Sequence, residues 1–242
     1  MNGSLAGPPA IELRDLRKRF GARAAVDGLS FAVPTGKITG FVGANGSGKT
    51  TTIRLLLGLI RSDGGSGTVL GHGLGDPAKY LARVGALTEA PAFYPSLSGR
   101  TNLEVLVRLA GYPRTRADEV LSLVELNDRA RDRVQTYSQG MKQRLGVAMA
   151  LLPDPDLLIL DEPANGLDPL GIAQMRELLQ QLRARGKTIF LSSHQLGELE
   201  KVVDWLVVLD SGKAVFDGSA DAFGARGTPL EERFFALRKE AR

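Results

Sequence analysis

The sequence predicts an α/β fold with a mostly parallel sheet and antiparallel β portions toward its ends. Three observations carry this. Short apolar stretches at 37–42, 157–160 and 188–193 alternate with segments of helical periodicity, the order of a parallel sheet crossed by helices. A glycine-rich loop, GANGSGKT, stands between the first of those strands and a helix. Residues 10–20 and 29–33 alternate apolar and polar side chains, as half-buried antiparallel strands do.

The remaining elements follow in chain order. A helix is expected over 50–59, after which SDGGSGTVLGHGLGDP (62–77) reads as turns around one short strand. Helices are expected at 101–111, 116–127 and 140–151. Asp168 with Pro169 makes a helix start, an N-cap carboxylate followed by proline at the first helical position, and Gly186 makes its stop. Beyond strand 188–193 come a short helix near 198–203 and a hairpin, WLVVLDSGKAVFDG, that starts on Trp205 and turns at Ser211 and Gly212. EERFFALRKEAR closes the chain as a surface or partner-facing helix.

Composition narrows the function classes. The 242 residues include no cysteine, which excludes disulfides, thiolate metal sites and a cysteine nucleophile. No apolar run approaches the ~20 residues that a bilayer requires, and residues 1–9 have neither the basic nor the apolar region of a targeting peptide. A soluble cytoplasmic protein is expected. The net charge of +4 is a weak field for this length, so no nucleic-acid partner is expected. Arg14, Arg17, Lys18, Arg19 and Arg23 are read as charges protecting a solvated strand edge.

The chemistry begins at Gly43, Ala44, Asn45, Gly46, Ser47, Gly48, Lys49 and Thr50, a full G-x-x-x-x-G-K-[ST] match in strand–loop–helix context. Its glycines let successive N–H groups face phosphate oxygens, and the helix N-terminus adds partial positive charge. Lys49 supplies a point charge for the β- and γ-phosphates, Thr50 a hydroxyl ligand for Mg²⁺, and Thr51 extends the nucleotide-binding set. The glycines at 71, 73 and 75 lack dinucleotide-binding spacing and read as a turn.

At 157–163, LLILDEP delivers adjacent carboxylates at the end of a buried strand. Alternation sends them different ways: Asp161 suits the Mg²⁺ shell, and Glu162 can orient or deprotonate an attacking water. His194 ends strand 188–193, at the edge where ligands of parallel sheets bind, and reads as a γ-phosphate sensor.

With these motifs in order, nearly the whole chain resembles the ATP-binding subunit of ABC transporters. YSQGMKQRLGVAMALL (137–152) resembles that family's signature segment and NGLDP (165–169) its D-loop, while His194 resembles the switch histidine and Phe20 the aromatic that stacks on adenine. The resemblance implies a P-loop NTPase core with an antiparallel β subdomain and an inserted α-helical subdomain. It also implies one domain over 1–242: core and β subdomain at 1–88 and 153–224, helical subdomain at 89–152, tail at 225–242. It places Asp168 among the catalytic residues, with Glu162, His194 and Lys49. Two such domains would pair head to tail, so that ATP and Mg²⁺ meet residues 43–51 of one and Ser138, Gln139, Gly140 and Met141 of the other. The permease they move would be a separate membrane chain, and this subunit would sit on the inner face of the cell membrane.

Two segments depart from the family pattern. Gln139 replaces the usual first glycine of the signature and Met141 its glutamine, with Ser138 and Gly140 kept. Glu89 stands where a Q-loop glutamine is usual, and its oxygen can still ligate Mg²⁺. The E-x-P-x-F-Y-P run around Glu89 is similar to ATPases of bacitracin- and lantibiotic-resistance exporters. The competing expectation, a non-transport ATP switch of the same superfamily acting on ribosomes or DNA, lacks the tandem domains or coiled-coil insertions those proteins carry.

Overall fold

An antiparallel sheet packs on one face of a larger, mostly parallel sheet. The computed structural model describes residues 7–88, 93–194, 202–224 and Arg233. Strands β1 (Ile11–Phe20) and β2 (Arg23–Val33) form a hairpin that continues through β4 (Gly64–Val69) and the short β5 (His72–Gly73) in the antiparallel order β2-β1-β4-β5. The main sheet contains β3 (Ile38–Gly43), β6 (Val84–Leu87), β7 (Leu157–Asp161), β8 (Thr188–Ser193), β9 (Trp205–Asp210) and β10 (Lys213–Ser219), in the order β10-β9-β3-β8-β7-β6. Five of these strands run parallel, and β10 is an antiparallel edge.

The parallel strands are apolar because both of their faces are covered. In β7, Leu158 and Leu160 face a core built with α2 (Gly99–Ala110), α3 (Arg116–Leu123), α4 (Gln139–Leu151) and α5 (Pro169–Ala184). Leu157 and Ile159 face the other way, toward β1, β2 and α1 (Lys49–Leu56). On that second face Phe31, Phe41 and Phe190 form a ring cluster with centroids 5.0 to 5.8 Å apart, which packs the antiparallel sheet onto the main one.

Helix ends follow their capping residues. Ser98, Ser138 and Asp168 each accept an N–H bond from the first turn of α2, α4 and α5. Helix α1 stops at Leu56, short of 59, because Gly58 turns the chain at φ +66 and a side chain there would meet Pro77 at 2.8 Å. Likewise α3 stops at Leu123, before Glu125 takes φ +55. A short α6 (Ala220–Gly224) follows β10.

Two expectations about β structure are corrected. The C-terminal hairpin belongs to no antiparallel appendage: β9 pairs in parallel with β3, because its apolar run LVVL is buried inside the main sheet. Strand β1 is not an edge either, since β2 and β4 flank it, so its basic residues occupy a solvated face and not an exposed strand border. The short helix near 198–203 and the closing helix fall largely outside the described residues.

Candidate active site

The chain crosses from β3 into α1 through the glycine loop, whose shape explains its composition. Gly48 takes φ +112, and a Cβ there would lie 2.4 Å from the Ala25 carbonyl oxygen. Only glycine fits. Lys49 is 7% exposed and folds back so that Nζ donates to the Gly43 carbonyl at 2.8 Å. Ser47 Oγ is buried beside this turn without a hydrogen-bond partner.

Parallel pairing of β3, β8 and β7 brings their C-terminal ends together at this loop. Thr50 Oγ1 donates to Asp161 Oδ2 at 3.1 Å. Ser192, at the end of β8, ties the Asp161 carboxylate to the Glu162 backbone: its hydroxyl makes a short bond to Asp161 Oδ1 and accepts the Glu162 N–H at 3.0 Å. Glu162 holds φ +52, an uncommon conformation for a non-glycine residue, and its carboxylate meets different partners from that of Asp161. Glu162 Oε1 is 3.5 Å from Lys49 Nζ, while Oε2 is 2.8 Å from His194 Nδ1. Lysine, glutamate and histidine thus form one connected row.

This row opens into a cleft of about 550 Å³ lined by Phe20, Asn45, Gly46, Gly48, Lys49, Thr50, Thr51, Glu162, Asn165 and His194, together with Arg23 and Ala25. Phe20 stands 52% exposed at one end, and Lys18 Nζ lies 5.6 Å from its ring centroid. An aromatic ring, a glycine loop heading a helix and a lysine along one cleft match the base-to-phosphate order of a nucleotide. The donor set also fits a hard divalent cation: the hydroxyl of Thr50 and the carboxylate of Asp161 converge, and among the described residues neither cysteine nor methionine lines the cleft.

Not every expected residue enters this cleft. Ser138 caps α4 by accepting the Met141 N–H at 3.2 Å, and Ser138, Gln139, Gly140 and Met141 do not line the cleft. Ser138 and Gln139 are exposed, beside the loop of Gly166 and Leu167. Asp168 also lies outside it, accepting the Gly171 N–H at 2.7 Å as the cap of α5. Glu89 lies outside the described residues. Ser192 is the residue that motif reading missed. Its signal was present, a serine two positions before His194 at the end of an apolar strand, but a lone serine carries no spacing rule.

Comparison with known proteins agrees with this geometry. The profile of the ABC transporter family matches residues 26–165. The bacitracin transport ATP-binding protein BcrA of Bacillus licheniformis is 47% identical over 206 residues, covering 84% of this chain and 67% of that protein. The lantibiotic transport ATP-binding protein SrtF of Streptococcus pyogenes is 35% identical over 224 residues, covering 93% and 95%. A solved ATP-binding subunit of an ABC transporter superposes with a TM-score of 0.82 at 31% identity, covering 95% of this chain and 99% of that one.

Proposed function

The chain belongs to the ABC transporter family as an ATP-binding subunit, and we propose that it hydrolyses MgATP in a two-domain sandwich to drive an exporter of a peptide antibiotic or drug. Phe20 stacks on adenine, and residues 43–51 cradle the phosphates. On ATP binding, Lys49 exchanges the Gly43 carbonyl for the β- and γ-phosphate oxygens. Thr50 and Asp161 would hold Mg²⁺, which when bound neutralises phosphate charge. Glu162 accepts a proton from the attacking water as its oxygen bonds to the γ-phosphorus, and the bond to the β-phosphate oxygen breaks with its electron pair leaving on ADP. His194 holds Glu162 through the 2.8 Å contact and faces the γ-phosphate.

The observation that carries the paired arrangement is the separation of the two phosphate-recognition segments. Ser138 begins a helix and is exposed, yet it does not line the cleft of its own chain. A second copy, or a sister ATPase, would present its Ser138, Gln139, Gly140 and Met141 to this cleft, with the D-loop and Asp168 at the same junction. We assign residues 89–152 to the helical arm that moves during closure, residues 1–88 and 153–224 to the core and β subdomain, and 225–242 to the tail. Glu89 would add a Mg²⁺ ligand from the start of that arm.

No described helix is long and apolar enough to cross a membrane. The reading puts the subunit on the cytoplasmic face of a separate permease, which the transport names of its relatives support. The relatives named for bacitracin transport, lantibiotic transport and daunorubicin resistance support export of a peptide antibiotic or drug. A direct test is Glu162→Gln in size-exclusion chromatography with light scattering. This variant should double its mass on MgATP and return to a monomer when ATP is removed. A variant that binds MgATP and stays monomeric at every concentration contradicts the paired site.

A further inference from the structure

Five basic residues cluster between positions 14 and 23, and four of them are already engaged. Arg14 pairs with Glu12 at 2.7 Å, Arg17 with Asp15 at 3.0 Å and Lys18 with Asp63 at 2.8 Å, while Arg19 folds back to donate to the Ala22 carbonyl at 2.9 Å. Arg23 differs from all of them in its place, because it reaches the glycine loop. Among the described residues it has no carboxylate partner, and its one hydrogen bond runs from Nη2 to the Gly46 carbonyl of the glycine loop at 3.1 Å. Within this cluster, only Arg23 lines the 550 Å³ cleft.

The hairpin places this cation with purpose. Arg23 is the cross-strand partner of Phe20, so the ring and the guanidinium leave the β1–β2 turn side by side. Gly46 leaves room for the guanidinium, since a Cβ there would come 3.1 Å from Nη2 at a backbone φ of +79. One of five N–H donors is spent on the carbonyl, and the rest carry an unneutralised charge along the wall between Phe20 and Lys49.

We infer that Arg23 is a further nucleotide-binding residue, holding the phosphate chain between the adenine platform and Lys49 while tying the β1–β2 hairpin to the glycine loop. The inference rests on reading the cleft as the ATP site. A planar fork fixed at one end by a carbonyl presents its remaining N–H groups to phosphate oxygens with little ordering cost.

The test measures ATP and ADP dissociation constants for the protein and for Arg23→Ala, Arg23→Gln and Arg23→Lys, with Lys49→Ala as the control. Arg23→Ala and Arg23→Gln should each weaken both nucleotides about five- to twentyfold at low salt, as loss of a charge-assisted bond predicts. Arg23→Lys should lose less. The gap should shrink several-fold near about 1 M KCl, where the Debye length is about 3 Å. Wild-type affinity in Arg23→Ala overturns the inference, as does an equal loss at low and high salt, which marks a neutral brace. Wild-type affinity in Lys49→Ala overturns the reading of the cleft itself, independently of Arg23.

Discussion

Ser192 shows how the site works at the scale of single residues. Its hydroxyl holds the Asp161 carboxylate and the Glu162 backbone N–H at once, and in the proposed mechanism this would keep one carboxylate on the cation side and the other on the water side. Ser192→Ala removes both bonds without touching the cleft wall. It should lower kcat about ten- to a hundredfold, the usual cost of losing a group that orients a ligand, with ATP affinity unchanged within about twofold. Steady-state kinetics beside a binding titration separates the two effects. Glu162, Lys49, Thr50 and Asp161 were legible because phosphate chemistry demands particular residue types at fixed spacing. Ser192 was not, because its partner atoms come from β7, which is remote in sequence and adjacent only through parallel pairing. Arg23 was hidden for a related reason: in sequence it is one of five similar charges, and only the fold shows which one lines the cleft.

At the scale of elements, capping was read directly from the letters and pairing was not. Asp168 and Pro169 marked the start of α5, and the cap bond is present at 2.7 Å. Asp168→Ala should cost about 1 kcal/mol of stability and lower Tm by about 2–4 °C, which calorimetry can resolve. The hairpin β9–β10 was recognised by its turn, yet its sheet was misassigned, since local alternation cannot say which strand will lie beside Trp205. Asp217 anchors this hairpin: it accepts the Trp205 indole N–H at 2.6 Å and the Ala32 N–H of β2 at 3.2 Å, joining the two sheets. Burial raises its pKa above the ordinary 3.8, outweighing both hydrogen bonds. An acid with a raised folded pKa binds its proton more tightly in the folded state, so it favours folding at low pH and its contribution is lost as pH rises through the folded pKa. Asp217→Asn should therefore gain stability relative to the unsubstituted protein as pH rises from about 4 to 7, measured as Tm against pH. A constant difference across that range would contradict the assignment.

At the scale of the whole molecule, the main sheet acts as a rigid plate with one core on each face and one reactive edge. Because β3, β7 and β8 run parallel, the glycine loop, the carboxylates and His194 arrive at the same edge although up to 151 residues separate Gly43 from His194. The fold class and this convergence were legible from apolar strands ending in polar motifs. What the sequence could not place was the geometry of an incomplete site, in which Ser138 heads a helix that does not line the cleft. Under the proposed pairing, that incompleteness would link hydrolysis to association between ATP-binding domains, and through them to a membrane partner. The most direct measurement is phosphate release from MgATP by the protein and by Glu162→Gln, beside retention of bound ATP. The account predicts steady turnover in the first and a fall of at least about a hundredfold in the second with ATP still bound. Turnover by Glu162→Gln at the unsubstituted rate would contradict it.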